Sequence, residues 1–204
     1  FVQDNPWIDR DRVMIDRLRT LGIEEGKPFN PDAKTRAVFD EAARDAHALI
    51  EAKYDTGWEP FFANTQWRPA AEAEFVKSGS SGYGIPDAYP IDSRGMTYSY
   101  GYIGIKRLGA GQFYLIAIKD KNGAPLDGGK SYRLHVPPNV PVQQYWSVTV
   151  YDRDTHALVR NMSRASRASN SSEVQENADG SVDIWFGPKA PAGKESNWVP
   201  TDPE

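Results

Sequence analysis

The chain has 204 residues, of which 28 are acidic and 24 are basic, so its formal net charge is −4 at neutral pH. No cluster of lysine and arginine stands out, and a nucleic-acid-binding surface is therefore not expected. The absence of cysteine excludes thiol catalysis, disulfides and thiolate metal sites, but it does not identify the compartment. No apolar run approaches the roughly 18 residues of a membrane-spanning helix, and the N-terminus FVQDNPWIDR has no export-signal pattern.

The first part of the chain has the residue spacing of helices. Apolar side chains recur at helical spacing in the segment 9–21, and Gly22 is placed to end that helix in a left-handed conformation. The segment 30–54 begins with Asn-Pro, which is typical of a helix start, and carries a narrow, alanine-rich apolar stripe. A third, weaker helical pattern covers 69–77 and is followed by the glycine- and serine-rich sequence SGSSGYGIP, which predicts a loop.

After Gly95 the pattern changes to the alternation that is typical of strands. Tyr98, Tyr100 and Tyr102 alternate with small residues and predict the first strand. Further strands are predicted at 112–119, 131–136, 145–152, 157–162 and 181–186. Their spacing, with turn sequences such as DKNG and NADG between them, predicts an antiparallel β-sandwich or barrel.

The change of pattern divides the chain into a helical lead-in, residues 1–94, and a β domain, residues 95–204. Within the β domain, the Ser/Arg/Asn-rich segment 163–172 predicts a long surface loop. The fold class is therefore mainly β with N-terminal helices.

Alternation within the predicted strands separates an apolar face from a mixed face. In YRLHV, Arg133 and His135 share the face opposite to the apolar residues, and in SVDIWF the same holds for Asp183 and Trp185. Asp152 shares the apolar side of its own strand and is therefore expected to lie apart from Arg133 and His135.

The mixed face suggests a ligand-binding surface for a carbohydrate or a similar polar ligand. Flat aromatic rings cover the C–H faces of a sugar, while planar polar groups bind its hydroxyl groups. The residues assigned to this surface are Tyr98, Tyr100, Arg133, His135, Tyr145, Tyr151 and Trp185. The alternative is that these residues are simply good strand formers without a ligand.

Two further interpretations of the mixed face remain open. In the first, the protein is a hydrolase in which His135 is the general acid/base, with Arg133 binding an anionic group and Asp183 assisting. In the second, the face is structural and is covered by another module or by a second subunit of a homo-oligomer. Serine-nucleophile motifs and phosphate-binding glycine loops are absent from the sequence.

A metal site would have to be built from the three histidines and from carboxylates. His47 lies in the middle of a predicted helix, where we expect a partly buried structural role. His135 and His156 would need Asp152 or Asp183 as a third ligand to form a mononuclear, cupin-like site. Because no closely spaced histidine pair supports such a site, we predict no metal and no cofactor.

Two long stretches of the sequence resemble a known family. YRLHVPPNVPVQQYWSVTVYDRDTHALV and NADGSVDIWFGPKAPAGKESNWVPT are similar to the C-terminal module of bacterial domain-of-unknown-function family 1214 proteins, and NPWIDRDRVMIDRLRTLGIEEGKPFNPD resembles the link to a family 1254 module upstream. The resemblance implies a jelly-roll β-sandwich, export to the periplasm or beyond, and a partner module of family 1254. Members usually continue past NWVPT into a final strand, so a fragment is expected. The family has no settled activity, and no catalytic residue can be assigned from it.

Overall fold

The computed structural model describes residues 2–7, 9–56, 59–80, 90–101 and 113–203. The chain forms two compact units, Phe1–Gly123 and Ala124–Glu204. The domain assignment at 1–94 and 95–204 stays a prediction, since compactness alone does not define a sequence module. Within the described residues, no helix has the length and apolar character needed to cross a membrane.

The first unit begins with the predicted amphipathic helix. A turn of 3₁₀ helix, Asp9–Asp11, leads into α1, Arg12–Thr20. Gly22 has the left-handed φ of 77°, and the next amide, that of Ile23, donates to the carbonyl oxygen of Leu18 at 3.0 Å. This bond closes a glycine-terminated helix end, as the sequence predicted.

The long helix α2, Ala33–Thr56, is more exposed than its sequence suggested. It starts behind Asp32, whose carboxylate accepts a hydrogen bond from the Thr35 amide at 2.7 Å, rather than behind Asn30. This bond lowers the pKa of Asp32. No side chain of α2 is buried, and the expectation that His47 is partly buried was wrong because its stretch of the helix faces solvent.

Two shorter helices and a two-stranded sheet complete the description of the first unit. The helices are α3, Ala73–Ser80, and α4, Ile91–Gly101. The strands β1, Arg68–Pro69, and β2, Leu115–Ile116, pair antiparallel. The helix predicted at 69–77 is therefore present with its start four residues later, and the strand predicted at 112–119 is reduced to β2 in its described part.

The strand predicted from the alternating tyrosines was wrong, because the segment folds as α4. Ser93, Met96 and Thr97 are buried, and their spacing is that of one helix face rather than of a strand. Thr97 is fully buried, and its hydroxyl accepts a hydrogen bond from the Glu72 amide at 3.0 Å. Tyr102 and most of SGSSGYGIP lie outside the described residues.

The second unit contains two small sheets. Its strands are β3 Tyr132–Val136, β4 Ser147–Thr149, β5 Ser166–Ala168, β6 Val182–Gly187 and β7 Trp198–Pro200. One sheet has the order β3-β6-β7, with β3–β6 antiparallel and β6–β7 parallel, and the other is the antiparallel pair β4–β5.

These sheets confirm part of the predicted strand pattern. β3 and β6 form as expected, and β4 occupies the middle of 145–152. Of 157–162 only a bridge between Leu158 and Tyr151 remains. The class, mainly β with N-terminal helices, holds, whereas a jelly-roll sandwich is not confirmed.

Two strands formed where the sequence did not predict them. β5 lies within 163–172, the segment expected to be a surface loop, because its backbone completes the ladder of β4. β7 lies near the C-terminus, where the sequence had predicted no closing strand, and it pairs with β6.

The core of the second unit lies on one face of β6. Val182, Ile184 and Val199 are buried, and Ile184 and Val199 have no exposed surface. The partly buried side chains that pack on them are Leu134, Val136, Trp146, Val148, Val150, Val174 and Phe186. The predicted division of these strands into apolar and mixed faces is therefore confirmed.

Candidate functional site

The mixed face of the β3–β6 pair brings four of the predicted polar and aromatic residues together. The register places His135 opposite Asp183 and Arg133 opposite Trp185. Side chains that are directly opposite on neighbouring strands lie on the same face within contact distance. The alternation of side chains along each strand assigned the four residues to one face, and the pairing of β3 with β6 makes them neighbours.

Asp183 forms the centre of this group. Its Oδ1 lies 2.8 Å from Nδ1 of His135, and its Oδ2 lies 3.9 Å from a guanidinium nitrogen of Arg133. The hydrogen bond from His135 and the charge of Arg133 lower the pKa of Asp183, with the hydrogen bond as the larger cause. The side chain of Asp183 is only 18% exposed, whereas those of His135 and Arg133 are 52% and 56% exposed. A carboxylate thus anchors two side chains that face solvent.

The hydrogen bond also determines how His135 presents its ring. An ionised carboxylate is only an acceptor, so Nδ1 of His135 carries the proton that is donated to Asp183. The other ring nitrogen, Nε2, is then an acceptor in the neutral imidazole. The pair holds a half-exposed imidazole in one orientation with Nε2 available to a ligand.

Aromatic side chains extend the group across the sheet. The guanidinium carbon of Arg133 lies 5.8 Å from the ring centre of Trp185, within the range of a cation–π contact. In the parallel pairing of β6 with β7, Trp185 is in register with Trp198, whose indole nitrogen donates to the Gly187 carbonyl at 2.8 Å. The mixed face therefore carries a row of one arginine and two tryptophans.

A buried amide fixes the strand behind Asp183. Asn197 is 5% exposed, and its Nδ2 donates to the carbonyl oxygens of Gln175 at 2.7 Å and of Asp183 at 3.0 Å. Its Oδ1 accepts from the Gln175 amide at 2.8 Å. Asn197 and Trp198 were not predicted as site residues, because their positions depend on the pairing of β7. The signal for them in the sequence was their place in the family-like motif NWVPT.

The other residues assigned to the ligand surface lie elsewhere. Tyr98 is on α4 in the first unit and is 64% exposed, and Tyr100 belongs to the same helix. Tyr145 and Tyr151, each 49% exposed, flank β4, which belongs to the other sheet of the second unit. Tyr145 and Tyr151 therefore lie outside the β3–β6–β7 sheet, and the role of all four tyrosines in binding stays a prediction.

The Asp152 carboxylate is hydrogen-bonded within the turn that follows β4. It lies apart from the mixed face, as the sequence predicted. Its Oδ1 accepts hydrogen bonds from the amide of Thr155 at 2.7 Å and from its hydroxyl at 2.5 Å. These bonds lower the pKa of Asp152. The carboxylate serves to close the turn between β4 and the bridge at Leu158.

The cupin-like metal alternative has no complete ligand set among the residues that the structure describes. No three His, Asp or Glu side chains converge there. His156 lies beside Arg153, with Nε2 at 3.4 Å from a guanidinium nitrogen. A metal ion needs several such ligands around one point, and neither histidine neighbourhood provides them in this part of the chain.

The second unit is thus a small β module with one mixed three-stranded sheet and a polar–aromatic face on which Arg133 and His135 are exposed and Trp185 is half-buried. Residues 111–204 match the family model described as "Protein of unknown function (DUF1214)". This match confirms the resemblance of the C-terminal part of the chain to family 1214, whereas the link to a family 1254 module stays an expectation.

One solved structure similar to this chain is that of the VPA0106 protein from Vibrio parahaemolyticus, at 20% sequence identity and a TM-score of 0.45. The match covers 96% of this chain and 44% of that one, so this chain spans less than half the length of its structural relative. No curated protein matches the sequence.

Proposed function

We propose that the C-terminal module binds a carbohydrate or a similar polar ligand on the β3–β6 face. The observation that carries the proposal is the 2.8 Å hydrogen bond between His135 and Asp183, made on an exposed face beside Trp185. It supports a binding role because it fixes a polar group that would otherwise rotate freely in solvent.

Preorganisation is the physical reason why this face favours binding. A side chain that is already held in one rotamer loses less conformational entropy when a ligand arrives. His135 is held by Asp183, so its Nε2 can accept a hydrogen bond from a hydroxyl group at a small entropic cost. Arg133 is half exposed and supplies donors in a planar fork, and the indole of Trp185 supplies a flat apolar surface.

Calorimetry of the whole chain with a panel of cell-envelope and host glycans tests the proposal. For a glycan that binds, Trp185→Ala and Arg133→Gln should each weaken affinity about tenfold, which corresponds to about 1.4 kcal/mol. Circular dichroism separates loss of binding from loss of folding; Arg133 is exposed, so its variant should fold normally. No binding to any glycan of the panel, or binding that both variants leave unchanged, would refute the proposal.

Tyr151→Ala is the matched aromatic variant for this experiment. Tyr151 is half exposed but lies next to the other sheet. It should therefore leave the affinity unchanged if the β3–β6 face is the site. If Tyr151→Ala weakens binding as much as Trp185→Ala, the face of β4 takes part and the assignment to β3–β6 alone is wrong.

The same hydrogen bond also favours a second candidate, a hydrolase with His135 as the general base. A histidine whose Nδ1 is held by a carboxylate is oriented to take a proton through Nε2 from water or from a hydroxyl group. His135→Gln should then abolish turnover in a hydrolase screen while the melting temperature stays nearly constant. A variant that retains turnover would eliminate this candidate.

We also propose, from the family resemblance, that the protein acts outside the cytoplasm together with a family 1254 module. Fractionation of cells that express the full-length gene product tests the location. The assembly alternative predicts that the full-length protein and the present chain differ in oligomeric state. Light scattering on both proteins measures this difference.

A further inference from the structure

A groove opens at one end of the core of the second unit, away from the β3–β6 mixed face. It has a volume of about 230 Å³, and its lining combines polar surface with the apolar side chains of Val140, Val142 and Trp146. Val182 also lines it, and this residue belongs to the core face of β6, opposite to the face of Asp183. The groove is therefore a separate place in the module from the proposed glycan site.

The charged side chain that lines the groove is acidic. Besides the apolar wall, Asn139, Ser169 and Glu176 line it, and Glu176 is the charged residue of the described lining. The chain beside it, from Glu173 to Asp179, carries three acidic residues and no basic one. Two hydrogen bonds from Ser181 lower the pKa of Asp179, so this carboxylate is ionised at neutral pH. Glu173 is paired with Arg167 at 3.4 Å, and His135 acts on Asp179, which leaves Glu176 as the acidic side chain that lines the groove and can attract a cation.

The apolar wall is suited to the same kind of ligand. Trp146 is half-buried, and an indole ring is the best aromatic partner for an ammonium group. Val140 and Val142 offer apolar contact to a short hydrocarbon body. The amide of Val142 donates to the carbonyl of Val140 at 2.8 Å, which makes this part of the wall a tight turn. Aromatic rings bind quaternary ammonium groups, and a carboxylate in the same groove adds charge attraction.

We propose that this groove binds a small organic cation, namely an ammonium group on a short apolar body. The proposal goes beyond glycan binding, because it involves different residues, the opposite face of β6 and another class of ligand. The attraction arises from Glu176 and the face of Trp146, and the valines select against large, strongly hydrated cations.

Choline and its uncharged isostere, in which carbon replaces the quaternary nitrogen, test the role of charge. Both are titrated into the whole ¹⁵N-labelled chain while amide and indole resonances are recorded. Choline should shift the amides of Ser169 and Gly180 and the indole N–H of Trp146, and it should bind about fivefold more tightly than the isostere. Equal binding of the two probes, no binding of choline, or shifts confined to Arg133 and His135 would overturn the proposal.

The Glu176→Gln variant tests whether Glu176 provides the charge attraction for the cation. Glu176 is exposed, so the variant should fold, and the preference for choline over the isostere should fall to about twofold or less. Asp154→Asn is the matched control, because it removes the same charge from an exposed position that does not line the groove. A preference that is unchanged in Glu176→Gln, or lost equally in Asp154→Asn, contradicts the assignment. Glycan binding is measured separately and can fail without affecting this result.

Discussion

The Asn197→Ala substitution should destabilise the second unit by more than is usual for the loss of so small a side chain. The side chain joins three parts of the chain: the segment at Gln175, strand β6 at Asp183 and the turn before β7. Alanine keeps the backbone of that turn but removes one acceptor and both donors. The amide of Gln175 and two carbonyl oxygens then lose their partners near the core.

The expected loss follows from these three hydrogen bonds. Each typical hydrogen bond contributes about 0.5–1.5 kcal/mol net, with a central value of about 1 kcal/mol. These three bonds, at 2.7, 2.8 and 3.0 Å, have normal lengths, and Oδ1 of Asn197 accepts a fourth, longer bond from the Ser196 hydroxyl at 3.3 Å. We therefore expect Asn197→Ala to lower the free energy of unfolding of the second unit by about 3 kcal/mol.

Native-state hydrogen exchange is the appropriate assay, because it reports on the second unit separately from the first. A loss of about 3 kcal/mol should speed exchange of the protected amides in β6 by roughly 100-fold. Asn170→Ala is the control: this residue is exposed in a turn, and its replacement should change stability by less than about 0.5 kcal/mol. If Asn197→Ala falls within the range of that control, the assignment of Asn197 as a structural clamp is refuted.

Three further perturbations follow from single positions. Ile184→Ala should cost about 2–5 kcal/mol of unfolding free energy in a urea titration, because Ile184 is fully buried at the centre of the core. A cost below about 1 kcal/mol would contradict that placement. Acidification should destabilise the second unit through Asp183: its pKa is below the usual value of 3.8, so its contribution is present above the unfolded pKa and is lost as the pH falls through the folded one. Asp183→Asn should flatten this part of the profile of unfolding free energy against pH, and an unchanged profile would argue against the bond to His135. Gly128→Ala should be strongly destabilising in thermal unfolding, because a methyl group there would collide with the backbone carbonyl of Asp202, and a normal melting temperature would show that the two segments are not in contact.

Local signals in the sequence predicted the helix ends better than the helix environments. Gly22 ended α1 as expected, because a left-handed termination depends on a single residue. The environment of His47 was predicted wrongly, because an apolar stripe shows which face of a helix can be buried but not whether another element covers it.

The tyrosine segment shows how two periodicities can coexist in one short sequence. Tyr98, Tyr100 and Tyr102 alternate, but Ser93, Met96 and Thr97 also fall on one helix face. Tertiary packing decided between the two patterns, because the buried hydroxyl of Thr97 is satisfied only in the helical arrangement that places it beside the Glu72 amide. Strand propensity of aromatic residues is a weak guide in such a case.

The β3–β6 face shows where prediction from alternation ends. Alternation gives the face of each side chain but leaves the register open, and a shift by two residues preserves the face while exchanging every partner. His135 and Asp183 are 48 residues apart, and only the observed register sets them opposite each other. Alternation thus placed Arg133, His135, Asp183 and Trp185 on one surface, whereas the hydrogen bond that orients His135 arises from the fold. The register of β6 between β3 and β7 also brings Asn197 behind Asp183 and Trp198 beside Trp185, so the interior clamp and the exposed face depend on the same strand pairing.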